Sequence, residues 1–261
     1  MCLIVLGWKT TPDCMLVVAA NRDEWRERPS ARLHWWDHET ARSDSEYSQD
    51  ILCEYSPLRA GRRGILAGRD LKDGGTWMGI TASGRFAALT NFRDPRNLKP
   101  GAPSRGALVR EFLDGNARPC EYSQQLAGRM PDFNGFNLLV GDRDELWWVS
   151  NRGGAPMALA PGIHGLSNGL LNEPWPKVAR AKARMRDAAE QRFDEAQLWT
   201  LLADDAAAPD DELPDTGVGI DWERRLSPAL IRGDRYGTRS SALLKVHADG
   251  SVRFRERLVG A

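Results

Sequence analysis

A chain of 261 residues is long enough for one large domain or two small ones. Its 36 basic and 36 acidic residues cancel, which argues against a nucleic-acid or anionic-membrane footprint. With 28% charged and 41% hydrophobic residues it reads as folded rather than disordered, and no apolar run approaches the roughly 20 residues of an integral membrane span.

The chain opens on Met1-Cys2. Apolar runs at residues 3–6 and 15–20 flank Thr10-Thr11-Pro12-Asp13, a spacing that predicts a β-hairpin. The second run ends in Asn21-Arg22-Asp23-Glu24, so the pairing carries charged groups towards Cys2. Once Met1 is removed, Cys2 carries a thiol of reference pKa about 8.5 and an α-amine of about 7.7–8.0. An amine on the nucleophile's own residue can take its proton without a histidine, and a nearby arginine stabilises the thiolate. The plainer alternative is a small buried hydrophobe at the start of a core strand. No basic region with a long apolar core precedes a small-residue cleavage site, so the sequence predicts no signal peptide. The four cysteines, Cys2, Cys14, Cys53 and Cys120, lack C-x-x-C spacing and read as reduced thiols of a cytoplasmic protein. A Cys2–Cys14 bridge across the hairpin is an alternative without a supporting pattern.

Pro29 forces an extended or turn conformation before Leu33-His34-Trp35-Trp36. His34 and His38 are four apart, a helical spacing, but no third ligand accompanies them, so no metal site is expected. Residues 42–57 are polar and aperiodic and read as loop. Apolar pieces at 65–68 and 77–80 surround a Gly74-Gly75 turn, and a Ser83-Gly84 turn leads to a strand at 86–90 that ends in Asn91. Ser104 is a candidate N-cap for a helix through Leu113, with a second helix over about 120–130. Strands follow at 136–140, 146–149 and 162–168, then helices at 178–191 and 195–203. Residues 204–219 are acidic and rich in Ala and Pro, a loop. Strands at 240–246 and 252–258 close the chain around Asp249-Gly250. Hairpins between consecutive strands, with helices in mid-chain, predict one α+β domain over 1–261 with mainly antiparallel sheets.

The segments MCLIVLGWK and ANRDEWRERPSARLHWW resemble the NRDE family, the transport and Golgi organisation proteins. Asn21-Arg22-Asp23-Glu24 is the motif that names it. Asn172-Glu173-Pro174-Trp175-Pro176-Lys177-Val178, Leu213-Pro214-Asp215-Thr216-Gly217 and Arg235-Tyr236-Gly237-Thr238-Arg239-Ser240-Ser241 match it as well. That family in turn resembles the N-terminal nucleophile (Ntn) hydrolases, above all the choloylglycine hydrolase and penicillin V acylase branch. The resemblance implies a four-layer αββα sandwich with two antiparallel sheets. It implies an amidohydrolase acting on C–N bonds other than peptide bonds, with a small amide or acyl substrate.

On that resemblance Cys2 is the nucleophile, Asp23 holds its amine, and Asn91 supplies an oxyanion donor. Asn168, in Gly165-Leu166-Ser167-Asn168-Gly169, orients the amine or the substrate, and Arg239 supports the thiolate. Read from local sequence alone, Asn91 and Asn168 are turn asparagines and Arg239 a surface ion-pair partner. One departure stands out. Ala20 occupies the place of an acylase arginine, and the arginine falls inside the motif instead, as Asn21-Arg22-Asp23. Adjacent strand residues face opposite ways, so Arg22 and Asp23 are not expected on one face.

The family's association with lipid and haem homeostasis implies a second reading, a binding or carrier protein for an apolar ligand such as an acyl lipid or haem. Ten tryptophans, including Trp35-Trp36 and Trp147-Trp148, suit an apolar pocket or an ordinary core. No G-x-G-x-x-G, P-loop or H-E-x-x-H motif is present, so neither reading calls for a cofactor or metal. The sequence sets no oligomeric state.

Overall fold

The computed structural model describes residues 2–36, 50–55 and 64–260. The first sheet contains β1 (Cys2–Trp8), β2 (Cys14–Trp25), β4 (Asp50–Tyr55), β11 (Gly162–Leu166), β12 (Tyr236–His247) and β13 (Val252–Leu258). Its strand order is β11-β1-β2-β12-β13-β4. The second sheet contains β3 (Ser30–Trp35), β5 (Ile65–Asp70), β6 (Met78–Thr81), β7 (Phe86–Asn91), β8 (Phe136–Gly141), β9 (Leu146–Ser150) and β10 (Met157–Ala158). It is ordered β10-β9-β8-β7-β6-β5-β3. Every pairing described is antiparallel.

The side-chain period of two sorts each central strand into two apolar faces. Ile4, Leu6, Leu16, Val18 and Ala20 face the other sheet and pack with Leu66, Met78, Ile80, Phe86 and Leu139. Leu3, Val5, Val17 and Ala19 face outward onto α3 (Pro176–Glu190) and α4 (Glu195–Leu202) through Val178, Met185, Leu198 and Leu201. On the far side, Ala87, Leu89, Leu138 and Val140 pack on α1 (Gly106–Asp114) and α2 (Pro119–Leu126) through Leu108, Phe112, Tyr122 and Leu126. The result is four layers in the order αββα. Strands covered on both faces need continuous apolar runs, as in residues 3–6 and 15–20. Each buried Leu, Ile or Phe contributes about 1.5–3 kcal/mol.

Several elements differ from the sequence expectation. Residues 50–55 form β4 where a loop over 42–57 is expected; the rest of that span lies outside the described residues. This edge strand buries Ile51 but leaves Leu52 49% exposed, so its pattern is weak. His34 lies on a strand, not on a helical face with His38, which is outside the described residues. Ser104 does not cap α1 with its hydroxyl. Arg105 holds the N-cap position, and the Ser104 carbonyl accepts from Ala107 N–H at 3.1 Å. α2 stops at Leu126, short of 130, and β12 begins at Tyr236, ahead of its apolar part. Residues 204–219 hold a single helical turn, Asp210–Glu212, and lead into α5 (Ile220–Leu226). No Cys2–Cys14 bridge forms: Cys2 pairs across from Arg22, while Cys14 sits at the other end of the hairpin opposite His247. Among the described residues, no helix is long and apolar enough to cross a membrane.

Candidate active site

Cys2 is the first residue of β1 and stands directly opposite Arg22 on β2. Arg22 in turn stands opposite Ser240 on β12, and Asp23 opposite Thr238. Arg239 lies between those two pairs as the extra residue of a β-bulge. Directly paired residues share a face, so Cys2, Arg22 and Ser240 point between the sheets, in line with Ile4, Ala20 and Ala242. There the apolar filling ends and a cleft of about 370 Å³ opens. Cys2, Arg22, Glu24, Asn91, Arg105 and Arg239 are among its lining residues. Asn91 reaches it from the end of β7, across the cleft in the second sheet. Cys2 is 7% exposed. Burial pushes its thiol above the ordinary value, opposed by Arg22 and by the Asp23 backbone N–H that hydrogen-bonds it.

The four-residue motif splits between the two faces of β2. Arg22 and Glu24 face the cleft side, with their charged groups 4.0 Å apart. Asn21 is fully buried on the back and spends its whole amide on structure. Its Nδ2 donates to the Leu202 and Ala229 carbonyls at 2.9 and 2.7 Å, and its Oδ1 accepts from Ser241 at 2.7 Å. Asp23 is 1% exposed, and its Oδ1 accepts from Thr238 Oγ1 at 2.7 Å. Burial raises the Asp23 pKa, and Lys177 opposes this most strongly. Lys177, the second residue of α3, is 2% exposed and donates to the Leu226 carbonyl at 2.9 Å. Burial lowers its pKa to about 8, with Asp23 pulling the other way. Behind them lies the buried Arg93–Glu223 ion pair, with the Arg93 guanidinium 4.8 Å from the Trp175 ring centre.

Two neighbouring residues after β11 hold the site's backbone. Ser167 Oγ donates to the Cys2 carbonyl at 3.1 Å. Asn168 Nδ2 donates to the Asn91 carbonyl at 2.8 Å, and the Asn168 carbonyl accepts from Arg93 N–H at 2.7 Å. Asn168 is fully buried and absent from the cleft wall, so its link to the site runs through Asn91. Arg239 lines the cleft but spends one nitrogen on three carbonyls, those of Trp25, Arg26 and Arg28, at 3.1, 3.0 and 2.6 Å. It makes no surface ion pair among the described residues.

The structure thus brings Cys2, Arg22, Asp23, Asn91 and Arg239 to the wall of one cleft, Asp23 with its carboxylate bonded to Thr238, and sets Asn168 behind it. The sequence argument missed Lys177, Arg93, Glu223, Ser167 and Arg105. One signal existed for Lys177: a cation in the first turn of a helix works against the helix dipole. Among the described residues, Trp77 is the tryptophan at the cleft wall. Trp148 is core, donating to Asn137 at 3.2 Å, and Trp35 packs against Tyr55 at 5.2 Å. Among the described residues, no three His, Cys, Asp or Glu side chains converge as metal ligands do.

Compared with known proteins, the chain matches the family model "Transport and Golgi organisation 2" over residues 1–44 and 55–260. It is 34% identical over 283 residues to the Transport and Golgi organization protein 2 homolog of Bos taurus, covering 98% of this chain and 92% of that one. The Homo sapiens homolog is 32% identical over 279 residues, with the same coverage of 98% and 92%. Among solved structures the chain is similar to a Caenorhabditis elegans N-acylethanolamine-hydrolyzing acid amidase ortholog, with TM-score 0.49 and 11% identity over 94% of this chain and 92% of that one. It is also similar to a mutant conjugated bile acid hydrolase from Clostridium perfringens, with TM-score 0.48 and 7% identity over 94% and 86%.

Proposed function

This chain belongs to the Transport and Golgi organisation 2 family, and we propose that it works as an N-terminal cysteine hydrolase of small amide or acyl substrates. The observation that carries the proposal is the position of Cys2: first in its strand, at the wall of a polar cleft, opposite Arg22 and across from Asn91. Once Met1 is removed, the Cys2 amine takes the thiol proton, and the thiolate attacks the substrate carbonyl carbon. Arg22 favours the thiolate. The Asn91 amide is the oxyanion donor; one such donor contributes about 2.7–4 kcal/mol in the transition state. The ammonium returns its proton to the leaving nitrogen, the C–N bond breaks and a thioester remains. Water, deprotonated by the same amine, then releases the acid and restores the thiol. Asp23, behind the strand, stabilises the ammonium formed in each half-reaction.

A carrier for an apolar ligand asks for an apolar lining. Arginines and carboxylates stand on the wall here beside a few apolar residues such as Trp77 and Leu89, a lining that suits a polar ligand better than a wholly apolar one. A reducing compartment such as the cytoplasm would keep the Cys2 thiol available for attack. Cys2→Ala is expected to abolish turnover of an amide substrate while leaving its binding measurable by calorimetry. A Cys2→Ala variant turning over that substrate at the wild-type rate would end the proposal.

A further inference from the structure

Six arginines line the cleft, against five carboxylates, those of Asp23, Glu24, Asp70, Asp73 and Glu256, which leaves a surplus of one positive charge. Three of the arginines are matched. Arg28 binds Asp70 and Asp73 at 2.6 Å each, Arg32 lies 3.9 Å from Glu256 and Arg22 4.0 Å from Glu24. The other three, Arg69, Arg105 and Arg239, make no ion pair among the described residues. Arg239 is committed to three carbonyls, and Arg69 lies over the Trp36 ring at 4.9 Å. Arg105 is different. It is partly buried on the same cleft wall as Cys2, and the one side-chain hydrogen bond it makes among the described residues goes from Nη1 to the Gly135 carbonyl at 3.0 Å. Burial lowers its pKa, while Glu24 and Cys2 act to raise it, which places it in the field of both.

A desolvated guanidinium without a carboxylate is costly unless something anionic completes it. Its planar fork matches a carboxylate or a phosphate, with two parallel hydrogen bonds. We propose that the cleft selects ligands bearing an anionic group, carboxylate or phosphate, close to the amide, and that Arg105 is the residue that anchors it. The surplus charge also draws such ligands towards the cleft. The assignment deepens the hydrolase reading by naming a substrate class, and it rests on that reading only for the amide.

The test uses the full chain carrying Cys2→Ala and three probes with one acyl chain: N-octanoylglycine, N-octanoyl-O-phosphoethanolamine and neutral N-octanoylethanolamine. Calorimetry is expected to show at least one anionic probe binding about tenfold or more tighter than the neutral one, a preference that shrinks in salt. The tighter anion tells carboxylate from phosphate. Adding Arg105→Gln is expected to erase the preference and leave the neutral probe's affinity unchanged. Arg105→Lys, which keeps the charge and loses the fork, is expected to fall between, and serves if the Gln variant does not fold. Equal affinities, no binding by any probe, or a preference that survives Arg105→Gln would overturn the assignment. Wild-type protein then separates the two ideas. Anionic preference without turnover removes the hydrolase reading and keeps the anion site; turnover without anionic preference does the reverse.

Discussion

At Lys177 and Asp23 two buried charges oppose each other's desolvation, and the balance is measurable. Removing Lys177 takes away the charge that most opposes the desolvation of Asp23 and the donor to the buried Leu226 carbonyl. Lys177→Met is therefore expected to cost on the order of 3 kcal/mol in urea unfolding. The pH dependence has a definite sign. Lys177 titrates at about 8 in the folded protein against 10.5 for the ordinary group. Between those values the unfolded chain holds a proton that the folded protein has released, so stability rises with pH across that window. The wild type is expected to gain on Lys177→Met between pH 8 and 10.5; a flat difference would contradict the burial argument. Ser167 offers a milder check. Ser167→Ala removes the donor to the buried Cys2 carbonyl and is expected to cost about 1 kcal/mol. Sequence pointed to Asn168 and not to its neighbour, because a serine in a turn has no distinguishing pattern. Lys177 lay inside a matched motif, yet a lysine at a helix start ordinarily belongs to the surface.

The element that organises the site is β2, which runs through Trp25 and so keeps residues 21–24 in strand alternation. That alternation was legible: it set Arg22 and Asp23 on opposite faces, and they lie so. The bulge at Arg239 was not legible, because it depends on pairing with a strand more than 200 residues away. Arg239→Ala is expected to loosen the turn after β2. Faster hydrogen exchange at the Arg26 and Arg28 amides, with β8 unchanged, is the expected result; uniform exchange would deny the arginine its local role. Apolar runs announced β1, β8 and β12, and alternation of Val252, Phe254 and Leu258 with charged residues announced β13. β4, β10 and α5 escaped for physical reasons. β10 has two exposed residues, and α5 is seven residues long with a glutamate, Glu223, among its buried positions.

At the scale of the molecule, the layer order followed from the family resemblance rather than from periodicity. Alternation tells which residues are buried, not which sheet they join. Asn21 meets Ser241 across 220 residues, and the Thr238–Asp23 bond spans 215. Those long-range pairs bring β12 beside β2 and close the back of the site. The cleft exists because the apolar filling between the sheets stops at the row Cys2, Arg22 and Ser240. Everything proposed for that cleft depends on what stands at its wall: a cysteine carrying a free amine, or an ordinary buried thiol.

The direct measurement is intact mass on protein from cells with normal methionine processing, before and after a brief pulse of limiting alkylator, with the adduct mapped. The expected result is a chain that begins at Cys2 and carries one adduct there, absent from Cys2→Ala. A chain that keeps Met1, or a Cys2 no more reactive than Cys14, Cys53 and Cys120, would contradict the assignment of Cys2 as the nucleophile.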